Sequence, residues 1–203
     1  MQNHLVIIGT VWPEPTSTAA GTRMLQIIEV FQKEKYTITF LSSASKGENS
    51  FDLESISVHT KAIQLNDSSF DVLISELNPT IVLFDRFMTE EQFGWRIMEN
   101  CPNALRILDT EDLHFVRKTR SLALNYQEIC SDDFLSNEIT KREIASLCRC
   151  DLSLIISESE FKILVDKFKV DSTLLLYLPF MLDTNQNLKI NRLKSFENRF
   201  DFV

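Results

Sequence analysis

Seven short apolar runs recur along this chain, and most are separated by segments whose apolar residues fall three and four apart. The runs are Leu5–Gly9, Tyr36–Leu41, Val58–Leu65, Thr80–Phe84, Ala104–Leu108, Leu152–Ile156 and Thr173–Leu178. Runs this short, bounded by turn residues, read as strands buried on both faces. Met24, Ile27, Ile28 and Phe31 form one helical stripe between them; Phe70, Leu73, Ile74 and Leu77 form another, and Phe161, Leu164, Val165 and Phe168 a third. Strands that alternate with helices need right-handed crossovers. The expected class is therefore α/β, a Rossmann-like, doubly wound and mainly parallel sheet of six or seven strands.

Local signals set the element ends. Pro13 and Pro15 keep the first strand-end loop irregular, and Thr16, Ser17 or Thr18 supplies the cap of the helix after it. Asn78-Pro79 ends the second helix. Thr89-Glu90-Glu91-Gln92 and Ser157-Glu158-Ser159-Glu160 both have capping-box spacing. Two helical stretches, about Phe115–Ile129 and Ser136–Arg149, follow the fifth strand, and Ser42–Ser55 reads as a polar loop.

Composition narrows the function. At 203 residues the chain can bury a full core without staples. A net charge of −8 and a pI near 5.0 argue against a nucleic-acid footprint and against anionic membranes. No apolar run reaches membrane-spanning length, and Met-Gln-Asn-His lacks the basic start of a signal peptide, so a cytoplasmic location is expected. Cys148-Arg149-Cys150 has the wrong spacing for zinc or redox pairs, and no His, Asp or Glu set has metal-ligand spacing, so no metal is expected.

In open parallel sheets, ligands collect beyond the carboxyl ends of the strands. Four loops converge there: Trp12–Arg23, Asp85–Phe87, Asp109–His114 and Ser157–Glu158. The first holds no G-x-G-x-x-G, because Gly9 and Gly21 lie twelve apart, so a dinucleotide cofactor is not expected. Walker A and nucleophile-elbow patterns are also missing. Asp109, Glu111, Asp112 and His114 admit two readings, a site for proton or hydroxyl chemistry or a solvated turn with an Asp capping the next helix. Arg23 and Arg86 are counter-ions for a phosphate or structural partners of Asp85, Asp109 or Glu111. Gly21 either opens a helix start to an anion or permits close packing. Trp12 either stacks on a sugar ring or covers the core. Arg117, Lys118 and Arg120 read as a solvated helix face, and His4 and His59 as structural.

Four segments in order carry a family resemblance. Trp12–Leu25 resembles the start of the N-terminal domain of family-4-like glycosyltransferases with the GT-B architecture. Ile107–Leu113 is similar to the segment where such enzymes commonly read Asp-x-His-Asp, Cys150–Glu158 to their strand ending in Ser-Glu, and Leu178–Asp183 to the hinge between their domains. The resemblance implies an acceptor-side domain over residues 1–182, with 183–203 as a linker and the stub of a donor-binding domain. It implies a nucleotide-sugar donor gripped mostly by that other domain, an unknown acceptor and metal-independent transfer. Asp112 matches the family directly, and the family's His falls on Glu111; one of the two would orient or deprotonate the acceptor hydroxyl while Arg23 neutralises charge. Trp12, Gly21, Asp85, Arg86, Asp109, His114, Ser157 and Glu158 are the expected substrate contacts. Phe196, Phe200 and Phe202 are expected to dock back or to pair with another chain. The alternative is a non-catalytic Rossmann-like module that binds a partner protein or a small ligand.

Overall fold

The computed structural model describes residues 3–126 and 137–181. In chain order the elements are β1 (His4–Gly9), α1 (Ala19–Lys33), β2 (Thr37–Ser42), β3 (His59–Ala62), α2 (Ser69–Leu77), β4 (Ile81–Asp85), α3 (Phe87–Asn100), β5 (Leu105–Asp109), α4 (His114–Tyr126), α5 (Glu138–Arg149), β6 (Leu152–Ile155), α6 (Glu158–Lys162) and β7 (Leu175–Tyr177). The seven strands form one sheet in the order β3-β2-β1-β4-β5-β6-β7, and every pair is parallel. The chain runs outward from β1 to β3, returns, and starts again on the other side with β4.

Alternation along each strand builds two cores. Leu5, Ile7, Leu83 and Ile107 face α1, where they meet Met24, Ile27 and Ile28. Val6, Ile8, Val82, Phe84 and Leu108 face the opposite layer, where they meet Phe70, Phe93, Ile97 and Phe115. A strand with both faces covered must be apolar throughout, which is why β1 reads as an unbroken run.

Where the boundaries differ from expectation, backbone chemistry explains it. The expected strand Val58–Leu65 pairs only over His59–Ala62, because it is the sheet edge and only one side offers partners. The expected strand Thr173–Leu178 shortens to Leu175–Tyr177, since Asp171 caps a 3₁₀ turn over Ser172–Leu174. Within the expected loop Ser42–Ser55, Leu53 begins another 3₁₀ turn and is fully buried. Thr89 does not cap α3. The helix starts at Phe87, directly after Arg86, and the Thr89 hydroxyl donates to the carbonyls of Asp85 and Arg86 at 3.0 and 2.9 Å. Thr18 is the α1 cap and Asn137 the α5 cap. The expected helix ends at Ile129 and Ser136, and the tail 183–203, lie outside the described residues.

One interaction ties these layers together. Arg23, on the buried face of α1, has no solvent exposure and neither does Asp109 at the end of β5. Its Nε and Nη2 donate to the Asp109 carboxylate at 3.1 Å each, while Nη1 donates to the Leu178 carbonyl at 2.8 Å. Helix α1, strand β5 and the chain leaving β7 thus meet on one guanidinium. Removing one partner of a buried pair strands a charge, at a cost of about 3–5 kcal/mol, whereas replacing both with apolar groups is often close to neutral. Arg23→Leu is expected to lose about that much in urea unfolding, and Arg23→Leu with Asp109→Leu to regain most of it. A single variant within about 0.5 kcal/mol of the native chain would show that the pair holds nothing together.

Candidate functional site

The sheet's order reverses between β1 and β4, and the loops leaving those strands diverge to opposite faces. This is where doubly wound sheets open a crevice. The gap is built tightly. A side chain at Gly9 would stand 2.3 Å from the Phe40 ring and 2.9 Å from the Val11 carbonyl, so glycine leaves room for both at the end of β1. Just beyond, the Thr10 amide donates to Asp85 Oδ2 at 3.0 Å and its hydroxyl to the Asp85 carbonyl at 2.7 Å, locking the ends of β1 and β4. The proline loop then folds onto α1. A Cβ on Gly21 would meet the Glu14 backbone at 2.5 Å, so Gly21 is there for close approach. Its amide is already taken by the capping hydroxyl of Thr18 at 3.0 Å.

The result is a cleft of about 210 Å³ whose polar lining is Glu14, Thr18, Asp85, Arg86 and Glu111, with Trp12 among its apolar walls. The Trp12 indole donates to the Ala44 carbonyl at 2.7 Å, and its ring lies 5.5 Å from that of Phe40. Two lining residues carry unusual backbone. Arg86 has φ 71° and ψ 158°, and Glu111 has φ 61°. The first combination is essentially reserved for glycine and costs on the order of 1–3 kcal/mol. The Arg86 amide donates to the Asp109 carbonyl at 2.8 Å, which helps hold the turn in place.

Two carboxyls of this cleft are buried. Asp85 is 4% exposed; Thr10 serves its Oδ2, but its Oδ1 has no hydrogen bond among the described residues, and the Arg86 Nε stands 3.8 Å away. Burial pushes the Asp85 carboxyl up, against the charge of Arg86. Glu111 is 7% exposed. Burial first, then repulsion from Asp109 and Asp85, pushes it up to about 7, with Arg86 and Arg23 opposing. A carboxyl poised there can exchange a proton with a ligand at neutral pH.

The structure sorts the expected site residues. Trp12, Gly21, Asp85, Arg86 and Glu111 come together at the cleft. Arg23 does not present its charge to a ligand there; it lies beneath the cleft, engaged by Asp109. Asp112 turns aside to pair with Arg117 at 3.2 Å. His114 packs edge-on against Phe87 and stands 3.4 Å from Glu143. Ser157 caps α6 by accepting from the Glu160 amide, and Glu158 is exposed beside it. No Asp caps α4. The buried Glu143 accepts from the amides of His114 and Phe115 at 3.1 and 3.0 Å, and Glu160 from that of Leu113 at 3.3 Å. The sequence reading missed Glu14, Thr10 and Glu143. Glu143 had a signal, a carboxylate in the Thr140–Glu143–Leu147 stripe that α5 buries. Among the described residues no group of His, Cys, Asp or Glu is placed to hold a metal ion, and no helix is long and apolar enough to cross a membrane.

No protein-family model and no curated protein matches the chain in sequence. Solved structures match its fold. A sucrose-phosphate synthase from Thermosynechococcus elongatus superposes with a TM-score of 0.59 at 11% identity, covering 87% of this chain and 48% of that one. The lipopolysaccharide outer core galactosyltransferase WaaB does so with 0.58 at 10%, covering 89% and 47%. The chain has a GT-B-type Rossmann fold. A protein assigned as a UDP-N-acetylglucosamine 2-epimerase from Listeria monocytogenes gives 0.55 at 12%, covering 86% and 45%. This chain thus spans about half the length of the structures it matches, and its fold is shared by transferases and an epimerase. At such identity the likeness carries the fold, and the chemistry has to come from the site.

The raised carboxyl of Glu111 has a thermodynamic consequence. The folded state binds its proton more tightly than the unfolded chain does, so this stabilisation is complete below the ordinary value of 4.5 and is lost as pH rises through about 7. Glu111→Gln removes the loss. Its stability in urea should match the native chain near pH 4 and exceed it by on the order of 3 kcal/mol near pH 8.5. Equal stabilities at both pH values would show that Glu111 titrates as an ordinary surface carboxyl.

Proposed function

We propose that the cleft is the acceptor-side half of a glycosyl-transfer site, with residues 1–182 as the acceptor-side domain and 183–203 leading out of it. The observation that carries this reading is the pairing of a buried, unpartnered Asp85 Oδ1 with Glu111 in one cleft at the topological switch point. The Asp85 oxygen is an acceptor left open beside a second carboxyl, which suits hydroxyl groups.

In this reading an acceptor hydroxyl donates to Glu111. As the acceptor oxygen bonds to the anomeric carbon of a nucleotide sugar, its proton passes to that carboxylate. The bond from the anomeric carbon to the diphosphate breaks, and its electron pair leaves with the phosphate. A base with a pKa near the working pH is the efficient choice. Asp85 orients a second hydroxyl, and the charge of Arg86 opposes the rise that burial imposes on both carboxyls. The step passes through no metal. Glu111 replaces Asp112 as base, because Asp112 is turned toward Arg117 and lies off the cleft. Support for transfer comes from the family resemblance and from the GT-B fold. The epimerase neighbour marks the reading to test against, since a carboxyl near 7 could also serve a proton abstraction.

The cleft is smaller than the roughly 300–1,000 Å³ that encloses a drug-sized ligand. The grip on the donor phosphates lies with a domain or chain beyond these residues. Losing one preorganised donor at a developing charge costs about a hundredfold or more. The 203-residue chain alone should therefore yield no transfer product from a panel of nucleotide sugars. In an assembly completed by a donor-binding domain, Glu111→Gln should lower kcat by about 10²–10⁴-fold and leave nucleotide-sugar binding near its native value. Robust transfer by the purified chain, or full turnover in the variant, contradicts the assignment. An epimerised nucleotide sugar without transfer replaces it with the second reaction.

A further inference from the structure

We infer that this cleft selects a neutral polyhydroxyl ligand, a sugar ring or cyclitol with free neighbouring hydroxyls, and rejects phosphorylated or otherwise anionic ones. The inference rests on the proposed acceptor-side reading and adds the charge class of the ligand.

The lining of the cleft is net acidic. Three carboxylates line it, those of Glu14, Asp85 and Glu111, against the single guanidinium of Arg86. Arg86 shares its charge with the carboxylates around it: its Nε stands 3.8 Å from Asp85 and its charge also bears on Glu111. The nearest other guanidinium, Arg23, is fully buried with both its Nε and Nη2 on Asp109. Lys46 stands over the Trp12 ring at 4.8 Å and is not part of the lining. Helix α1 points its N-terminus here, which by itself would favour an anion. Part of that start is occupied: Thr18 holds the Gly21 amide, and the Glu14 backbone packs against Gly21.

Hydrogen-bonding capacity points the same way. Asp85 Oδ1 is a buried acceptor without a hydrogen bond among the described residues, and the Glu111 carboxyl lines the same cleft, so a matching ligand brings donors. Hydroxyl groups are donors and carry no charge; a phosphate brings acceptors and negative charge into a site rich in both.

The test is binding to the 203-residue chain at pH 8, where Glu111 is ionised. Methyl α-D-glucoside and myo-inositol are compared with glucose 6-phosphate by saturation-transfer NMR, with amide shifts of Thr10, Arg86 and Glu111 reporting the location. The neutral ligands should bind at least about tenfold more tightly than the phosphate, as like charges at this range repel in a partly buried site. Glu14→Gln with Glu111→Gln should raise phosphate binding by about tenfold, a gain that a misfolded variant cannot show. Equal or tighter phosphate binding at the cleft, or no gain in the double variant, overturns the inference and leaves the acceptor-side reading standing. Absence of every ligand from these amides overturns both.

Discussion

The structure turns on the buried ion pair between Arg23 and Asp109. Two charges taken out of water are costly, and their mutual attraction repays that cost only with near-ideal geometry and further hydrogen bonds. Here the geometry is met: two N–H groups on the carboxylate and a third on the carbonyl of Leu178. The pair fixes α1 against the end of β5 and anchors the chain as it leaves β7. It also forms the ground under the cleft, since Glu111 follows Asp109 by two residues and Arg86 bonds to its carbonyl.

What the pair consumes shapes the site above it. Arg23 is engaged below by Asp109, so Arg86 is the guanidinium that lines the cleft with the carboxylates. Asp109 stays beneath them as a further negative neighbour, and this is part of what lifts Glu111 to about 7. The strained backbone at Arg86 and the left-handed turn at Glu111 belong to the same arrangement, for they turn both side chains into the crevice at adjacent strand ends. Strain of this kind persists only where the surroundings impose it. Thr10, Asp85 and Asp109 impose it here through bonds that cross β1, β4 and β5.

The fold was legible because its central strands are buried on both faces. Leu5–Gly9, Thr80–Phe84 and Ala104–Leu108 could hardly read as anything else, and their order left few topologies. The edges were less legible. His59–Ala62 is largely exposed, and β7 pairs on one side, so neither needs a long apolar run. At the site, strand ends marked Asp85, Arg86 and Glu111 correctly as neighbours. Which of two adjacent carboxylates turns inward was not legible, because a left-handed residue at Glu111 sends Asp112 outward to Arg117. Nor could the sequence show that Glu143 and Glu160, from distant helices, cap α4 in place of a local Asp.

In the proposed site Glu111 sits in an acidic cleft and receives a ligand through its carboxylate. Direct titration of the Glu111 side-chain carboxyl by ¹³C NMR tests it, alone and with saturating methyl α-D-glucoside. The expected result is a midpoint near 7 that moves measurably when the glucoside is added. A midpoint near 4.5 that ignores the glucoside would contradict it.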